Sequence, residues 1–449
     1  MTKTAKADPQ AILGHLIDAA RAAGADAADA LLVESISAGV SYRLGKLEDV
    51  ERSESADLGL RVFVGAKVAF VSSTDLSEKA LAELPERAVA MARLAPEDKY
   101  AGLAPRELLA QGWPDLDLED PGEPSAEALI ERARAVEGAA MAVPGITNSE
   151  GGGAGFSRSA IALATSEGFF GRYAGTSHSV GVAVLAGEGT GMERDYDGAS
   201  ARHGSDLEDP EAVGRRAGER TVARLGPRKA KSAALPVVFD PRVANGIVGH
   251  FAGAISGSSI ARGVSFLKDR LDQGVFAPGI SIIDEPHRRR GLRSKPFDGE
   301  GLANKARNII EDGMLTTWIL DLRSARQLGL KSTGHAARGT SSPPSPAPTN
   351  LYMTPGESSP EDLIKAVKSG FYVTHLMGFG INGTTGDYSR GAAGFWIENG
   401  SLAYPVSVVT VAGNLLDMYL NLTPANDLEF RYGTDAPTIL VEGMTVAGM

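Results

Sequence analysis

Leu235-Pro236-Val237-Val238-Phe239-Asp240-Pro241-Arg242-Val243-Ala244-Asn245-Gly246-Ile247-Val248-Gly249-His250-Phe251-Ala252-Gly253-Ala254 reads as a strand, a tight turn and a helix. The apolar run to Phe239 suits a buried strand. Asp240-Pro241 stops it and opens a helix, because proline is tolerated in the first turn. The predicted helix runs from Arg242 to Ala254 and carries His250. Strand, turn and histidine-bearing helix is the layout of many zinc peptidases. Such a site needs two histidines on one helix face and a glutamate to take the proton of a bound water. Here one histidine stands alone.

From Leu235 onward, strand-like runs and turns dominate: Leu235–Phe239, Ile280–Asp284, Ala306–Glu311, Thr316–Asp321, Gly394–Ile397, Val406–Val411, Leu428–Tyr432 and Ile439–Val446. One more helix is expected from Pro360 to Ser369, opened by Ser358-Ser359-Pro360-Glu361-Asp362. The pattern predicts a mainly antiparallel, barrel-like β domain with helices packed on it. Gly334 to Asn350 reads as a long loop of small residues and prolines, and such a length makes it a candidate site wall. The turn from Asn382 to Arg390, with Asp387 inside it, is a second candidate wall.

The first half reads as α+β. Helices are expected at Gln10–Ala23, Leu76–Leu94, Ser125–Ala142 and Asp209–Leu225. Ser73-Thr74-Asp75 supplies capping residues for the second of these. Short β runs are expected at Ala30–Ser35, Val40–Leu44, Ser55–Val64 and Ala66–Ser72, and again at Thr147–Ser149, Ser157–Glu167 and Tyr173–Ala186. Turns are expected at Val64-Gly65-Ala66-Lys67, Gly151-Gly152-Gly153 and Glu167-Gly168. Pro96 to Pro124, rich in proline and acid, reads as a surface connection. The element order suggests a duplicated helix–meander unit. Gly226 to Ala234 is basic and small, which predicts an N-terminal α+β domain over residues 1–228 and a β-rich domain over 229–449.

Composition narrows the function classes. A chain of 449 residues with 43% hydrophobic and 22% charged content can build more than one core. Its net charge of -11 repels phosphate backbones, so nucleic acid is not an expected partner. The absence of cysteine rules out disulfides, thiolate ligands and a cysteine nucleophile, and is compatible with a reducing cytoplasm. Met1 to Gln10 is polar, with no apolar core of a signal peptide, and no apolar run is long enough for a membrane span.

Other motifs fare poorly. Gly378-Phe379-Gly380-Ile381-Asn382-Gly383 matches G-x-G-x-x-G, but turn residues follow where a phosphate-binding helix should start, so a glycine-rich β turn is expected. Ser265-Phe266-Leu267-Lys268 matches S-x-x-K, the skeleton of a Ser–Lys acyl-transfer enzyme, without its Ser-Asp-Asn companion. His287-Arg288-Arg289-Arg290 with Arg293 and Lys295 is the densest basic patch; a solvated loop is the default, and a cradle for an acidic peptide or partner carboxylates is the sharper option. The seven histidines show no metal-binding pair spacing.

A wider frame surrounds His250. It comprises Gly249 to Gly257, Phe276-Ala277-Pro278-Gly279, Gly291-Leu292-Arg293-Ser294, Pro296 to Gly301, Leu320 to Gly329, Thr384 to Phe395 and Leu440 to Val446. Through these residues the chain resembles the TldD/PmbA metallopeptidase family, on its PmbA (TldE) side. The family implies a peptidase complex. TldD-type members carry H-E-x-x-x-H and a later cysteine as a zinc site, and pair with PmbA-type members to degrade or mature small, poorly folded peptides. Laid on this sequence, the first histidine position is Asn245, the glutamate position is Gly246, and only the last histidine remains, as His250.

The resulting expectation is the non-metal subunit of a cytoplasmic metallopeptidase complex. It has no catalytic residue and no cofactor of its own, and zinc comes from a TldD-type partner. Its substrate is an unstructured peptide, and it forms a homo- or heterodimer. Asn245, Gly246 and His250 mark the relic site, with Gly334, Asn350, Asn382, Asp387 and Arg390 as candidate cleft residues. The rival expectations are a non-catalytic homodimer that binds peptides or scaffolds other proteins, and an independent hydrolase working through Ser265 and Lys268 or through a metal site assembled from distant residues.

Overall fold

The computed structural model describes residues 8–448, so the first seven residues of the polar Met1 to Gln10 segment lie outside the described part. Two helix–meander–helix units follow one another. The first is α1 (Pro9–Ala22), β1 (Ala27–Arg43), β2 (Lys46–Val64), β3 (Lys67–Ser73) and α2 (Glu78–Leu94). The second is α3 (Ala126–Met141), β4 (Ile146–Thr165), β5 (Phe170–Ala186), β6 (Glu193–Ala201) and α4 (Pro210–Ala223). Their strands share one antiparallel sheet of order β3-β2-β1-β4-β5-β6, joined where β1 pairs with β4. The duplicated unit suggested by element order is therefore present, fused through its two first strands.

Helices cover one sheet face. The apolar stripe of α1 (Leu13, Leu16, Ile17, Ala20) meets Leu32, Leu58, Leu60 and Val62, while Val136, Val213 and Ala217 of α3 and α4 meet Val180, Val182 and Val184. The opposite face receives the second half of the chain, where Leu31, Leu163 and Phe169 pack on Phe297, Leu302 and Leu322.

Several local expectations need correction. The runs in β1 and β4 are not separate strands; each belongs to one continuous strand of 17 and 20 residues. The stretches between the apolar runs stay extended because both neighbours complete the ladder, with a bulge between Ser149 and Gly151 in β4. Gly151-Gly152-Gly153 is no turn but lies within β4, and a Cβ on Gly152 would collide with the backbone of α3 at Ala133. The cap of α2 is Ser77, whose side chain accepts from the Ala80 amide.

In the second half, β7 (Ala233–Phe239), α5 (Pro241–Ala254) and α6 (Gly257–Ala261) come first. Then follow β8 (Ile282–Asp284), β9 (Arg307–Glu311), β10 (Met314–Leu315), α7 (Leu322–Leu328), β11 (Ala336–Ala337), β12 (Ser345–Pro346) and β13 (Leu351–Met353). The chain ends with α8 (Pro360–Ala366), β14 (Ser369–Met377), β15 (Asp387–Glu398), β16 (Ser401–Asn414), α9 (Leu415–Leu420), β17 (Leu422–Pro424), β18 (Thr434–Asp435) and β19 (Ile439–Ala447). The sheet β16-β15-β14-β7-β19 closes on itself because β16 also pairs with β19. It is the expected barrel, antiparallel except where β14 runs parallel to β7. β7 is apolar on both faces for a reason: Val237 and Phe239 enter the main core, and Val238 packs under α8 with Leu363 and Val367.

Thr316–Asp321 and Leu428–Tyr432 are irregular rather than strands. In the first, Trp318, Ile319 and Leu320 are buried by packing, and Asp321 caps α7. The helix from Pro360 ends at Ala366, and Ser369 already begins β14. The Gly334–Asn350 loop contains the small β11–β12 hairpin. The basic patch is neither a free solvated loop nor an open cradle: Arg289 and Arg290 both hold Asp117, Arg290 also holds Asp206, and Arg288 lies over the Phe430 ring.

Candidate functional site

Helix α5 is fixed at its start. The Asp240 side chain accepts from the Arg242 amide at 2.9 Å and from the Tyr372 hydroxyl at 2.9 Å. The Arg242 guanidinium reaches back to Asp195 of β6 at 3.0 Å, tying the helix to the first half. Ala244, Ile247, Val248 and Phe251 recur at helical spacing and enter the barrel core. The other edge carries Gly246, Gly249, His250 and Gly253 at the same spacing, and a Cβ at any of those three glycines would meet nothing within 4 Å.

His250 faces β15. Its ring stands edge-on to Tyr388 at 6.1 Å. Burial pushes the imidazole down to about 4, and the nearby Arg390 guanidinium pushes in the same direction. Burial raises the Tyr388 phenol to about 12, with Arg390 opposing it. At neutral pH the imidazole is therefore neutral beside a permanent cation. Zinc, which the resemblance implies for the family, does not fit these residues. Asn245 and Gly246 supply neither imidazole nor carboxylate, and Arg390 repels a dication. Among the described residues no group of three or more histidine, cysteine, aspartate or glutamate side chains is placed to hold a metal ion.

The turn before β15 positions Tyr388 and Arg390. The Asn382 side chain accepts from the amides of Thr384 and Thr385 at 3.0 and 3.3 Å. Asp387 accepts from the Thr385 hydroxyl at 2.6 Å, and the Phe266 amide donates to Gly383, seating the turn on residues 264–266. Gly380 lies so close under the Ser389 carbonyl that no Cβ fits, consistent with a glycine-rich turn. The structure thus brings Arg390 to His250, with Asn245 and Gly246 on the same helix and Asn382 and Asp387 shaping the approach.

Gly334 and Asn350 belong elsewhere. Asn350 is a buried brace that donates to Ser294 at 2.7 Å and to the Glu285 carbonyl at 2.8 Å. Gly334, at φ +73°, sits against the Ala303 backbone. Their loop instead lines a cleft of about 450 Å³ between the halves, where Pro343 and Pro344 face Phe63, Phe70 and Tyr100. Arg61 and Glu300 also line it. Glu300 accepts from the Leu322 amide at 2.9 Å, and burial raises its carboxyl to about 8 against the pull of Arg61. Sequence reasoning passed over Arg61, Glu300 and Tyr388; the last two lie inside stretches quoted above, but nothing in those stretches signals burial.

The Ser–Lys reading fails on geometry. Ser265 is 2% exposed and its hydroxyl donates to the Ala254 carbonyl at 2.6 Å, while the Lys268 side chain is 51% exposed and approaches Asp269.

The sequence matches family models described as PmbA/TldA metallopeptidase domain 1 over residues 28–92, the central domain over 119–225 and the C-terminal domain over 232–448. It is 42% identical over 426 residues to Metalloprotease PmbA of Escherichia coli O157:H7, covering 94% of this chain and 92% of that protein. A crystal structure from Bacteroides thetaiotaomicron superposes with a TM-score of 0.90 at 28% identity, covering 98% of this chain and 99% of that one. TldE from Thermococcus kodakarensis shares the fold, with a TM-score of 0.87 at 20% identity over 97% of this chain and 99% of that one.

Proposed function

The chain belongs to the PmbA/TldD metallopeptidase family, and we propose that it is the subunit of a peptidase complex that carries no metal itself. A TldD-type partner supplies the zinc and the catalytic carboxylate, and the substrate is a small unstructured peptide. The observation that carries this reading is the replacement at α5: one neutral imidazole, His250, beside the Arg390 cation, where hydrolysis needs about three ligands and a base. The open glycine edge of α5 and the Asn382–Arg390 turn form a wall of the peptide channel. Extended peptides are held by backbone pairing, which selects for disorder rather than for particular side chains. The complex works in the cytoplasm. No helix among the described residues is long and apolar enough to cross a membrane.

Mixing the pure chain with a TldD-type chain tests the pairing. Size-exclusion chromatography is expected to show a new, larger species, with zinc in the partner and far below one equivalent in this chain. No new species, or stoichiometric zinc in this chain alone, would refute the proposal.

A further inference from the structure

We infer that the His250 edge of α5 and the Tyr388–Arg390 face of β15 form a binding site for a carboxylate, filled by the free C-terminus of a peptide. This rests on the reading that the site handles peptides.

Unmet hydrogen-bonding capacity points to it. Seven buried side-chain polar atoms among the described residues lack a hydrogen-bond partner: His178 Nε2, Arg224 Nη1, Arg338 Nε and Nη2, Tyr388 OH, Arg390 Nε and Tyr419 OH. The first four belong to side chains with a carboxylate at hand, at 3.1 Å for His178 with Asp120, 3.7 Å for Arg224 with Asp195 and 2.7 Å for Arg338 with Asp29. The last three have none, and they fall together. Arg390 acts electrostatically on both Tyr388 and His250, and Tyr388 acts on Tyr419. Asp387, the nearest acid along β15, is held by Thr385 and Asn414.

A buried polar atom that the protein leaves unpaired can be satisfied by a bound group, and a guanidinium without a protein counter-charge favours an anion. The planar fork of arginine matches a carboxylate with two parallel hydrogen bonds, and a phenol beside it adds a donor. Access separates a peptide from a small ion. Gly246, Gly249 and Gly253 leave open space along α5 next to His250, with no atom within 4 Å of where a Cβ would stand, so no side chain of the helix blocks a polypeptide backbone there.

The test uses the pure full-length chain without partner or metal, and fluorescence anisotropy of a labelled unstructured peptide. Three forms are compared: free C-terminus, amidated C-terminus, and amidated with one internal glutamate. The free acid is expected to bind roughly tenfold tighter than either amide, the scale of a hydrogen bond to a charged group. Arg390→Gln should erase that preference, Arg390→Lys should keep part of it, and Tyr388→Phe, which removes only the hydroxyl, should weaken it. A thermal melt confirms that each variant is folded. Equal binding of acid and amide, a preference unchanged in Arg390→Gln, or no binding of any form would overturn the inference. Equal binding of the internal-glutamate amide and the acid would overturn the assignment to the C-terminus. None of these results alters complex formation or zinc content, so this inference can fail while the proposed function stands.

Discussion

His250 and Glu300 are both displaced by burial, in opposite senses. His250 titrates near 4 in the fold against an ordinary 6.5. Between those values the unfolded chain binds the extra proton, so this residue withdraws stability as pH falls from about 6.5 towards 4 and leaves it unchanged above. In thermal melts, His250→Gln is expected to flatten that acid limb. Glu300 titrates near 8 against an ordinary 4.5, so the folded chain holds the extra proton and stability declines as pH rises between the two values. Glu300→Gln keeps an oxygen for the Leu322 amide and removes the ionisable group. It is expected to raise Tm at pH 9 relative to the parent and to change little at pH 4; no gain at pH 9 would contradict the buried-acid assignment. The sequence displays His250 because its helix is legible from local spacing. It hides Glu300, because the burial that raises its carboxyl, against the pull of Arg61 and the Leu322 amide, arises only when the two halves of the chain pack together.

Glycine in a helix costs stability relative to alanine unless the missing Cβ makes room for something. Two elements test that distinction. In α4, a Cβ on Gly214 would run into the Val136 carbonyl of α3, so Gly214→Ala is expected to destabilise by about 1–3 kcal/mol through overpacking. In α5, Gly246 faces open space, and Gly246→Ala is expected to stabilise by about 0.5–1 kcal/mol in chemical denaturation. A destabilising result at Gly246 would mean that the edge is covered. Helix existence was readable from capping and apolar stripes in α1, α3, α4 and α5. Strand extent was not, because the outer half of β2, Lys46 to Ser55, is exposed and mostly polar, and its backbone ladder is made with β1. Barrel closure likewise depends on β16 meeting β19, a long-range pairing with no local signature.

The two halves are locked by charge as well as by packing. Asp29 of β1 is fully buried and accepts from Arg61 and, at 2.7 Å, from Arg338 in the Gly334–Asn350 loop. Removing Arg338 leaves a buried carboxylate with half its compensation, so Arg338→Ala is expected to cost about 3–5 kcal/mol. Arg289→Ala, at a side chain 74% exposed, should leave the denaturation midpoint unmoved. The same loop walls the cleft between the halves, so Arg338→Ala also tests whether that cleft depends on the lock. In the sequence, Arg338 and Arg61 look like ordinary surface charges; only the fold brings them to one aspartate.

At this scale the proposed division of labour predicts that hydrolysis needs a metal supplied by a TldD-type partner. Its most direct test is cleavage of an unstructured test peptide by the chain alone and then with a TldD-type partner, each with and without chelator. Cleavage only in the mixture, abolished by chelator, is the predicted result. Cleavage by the pure chain would contradict it, and so would a partner equally active without this chain.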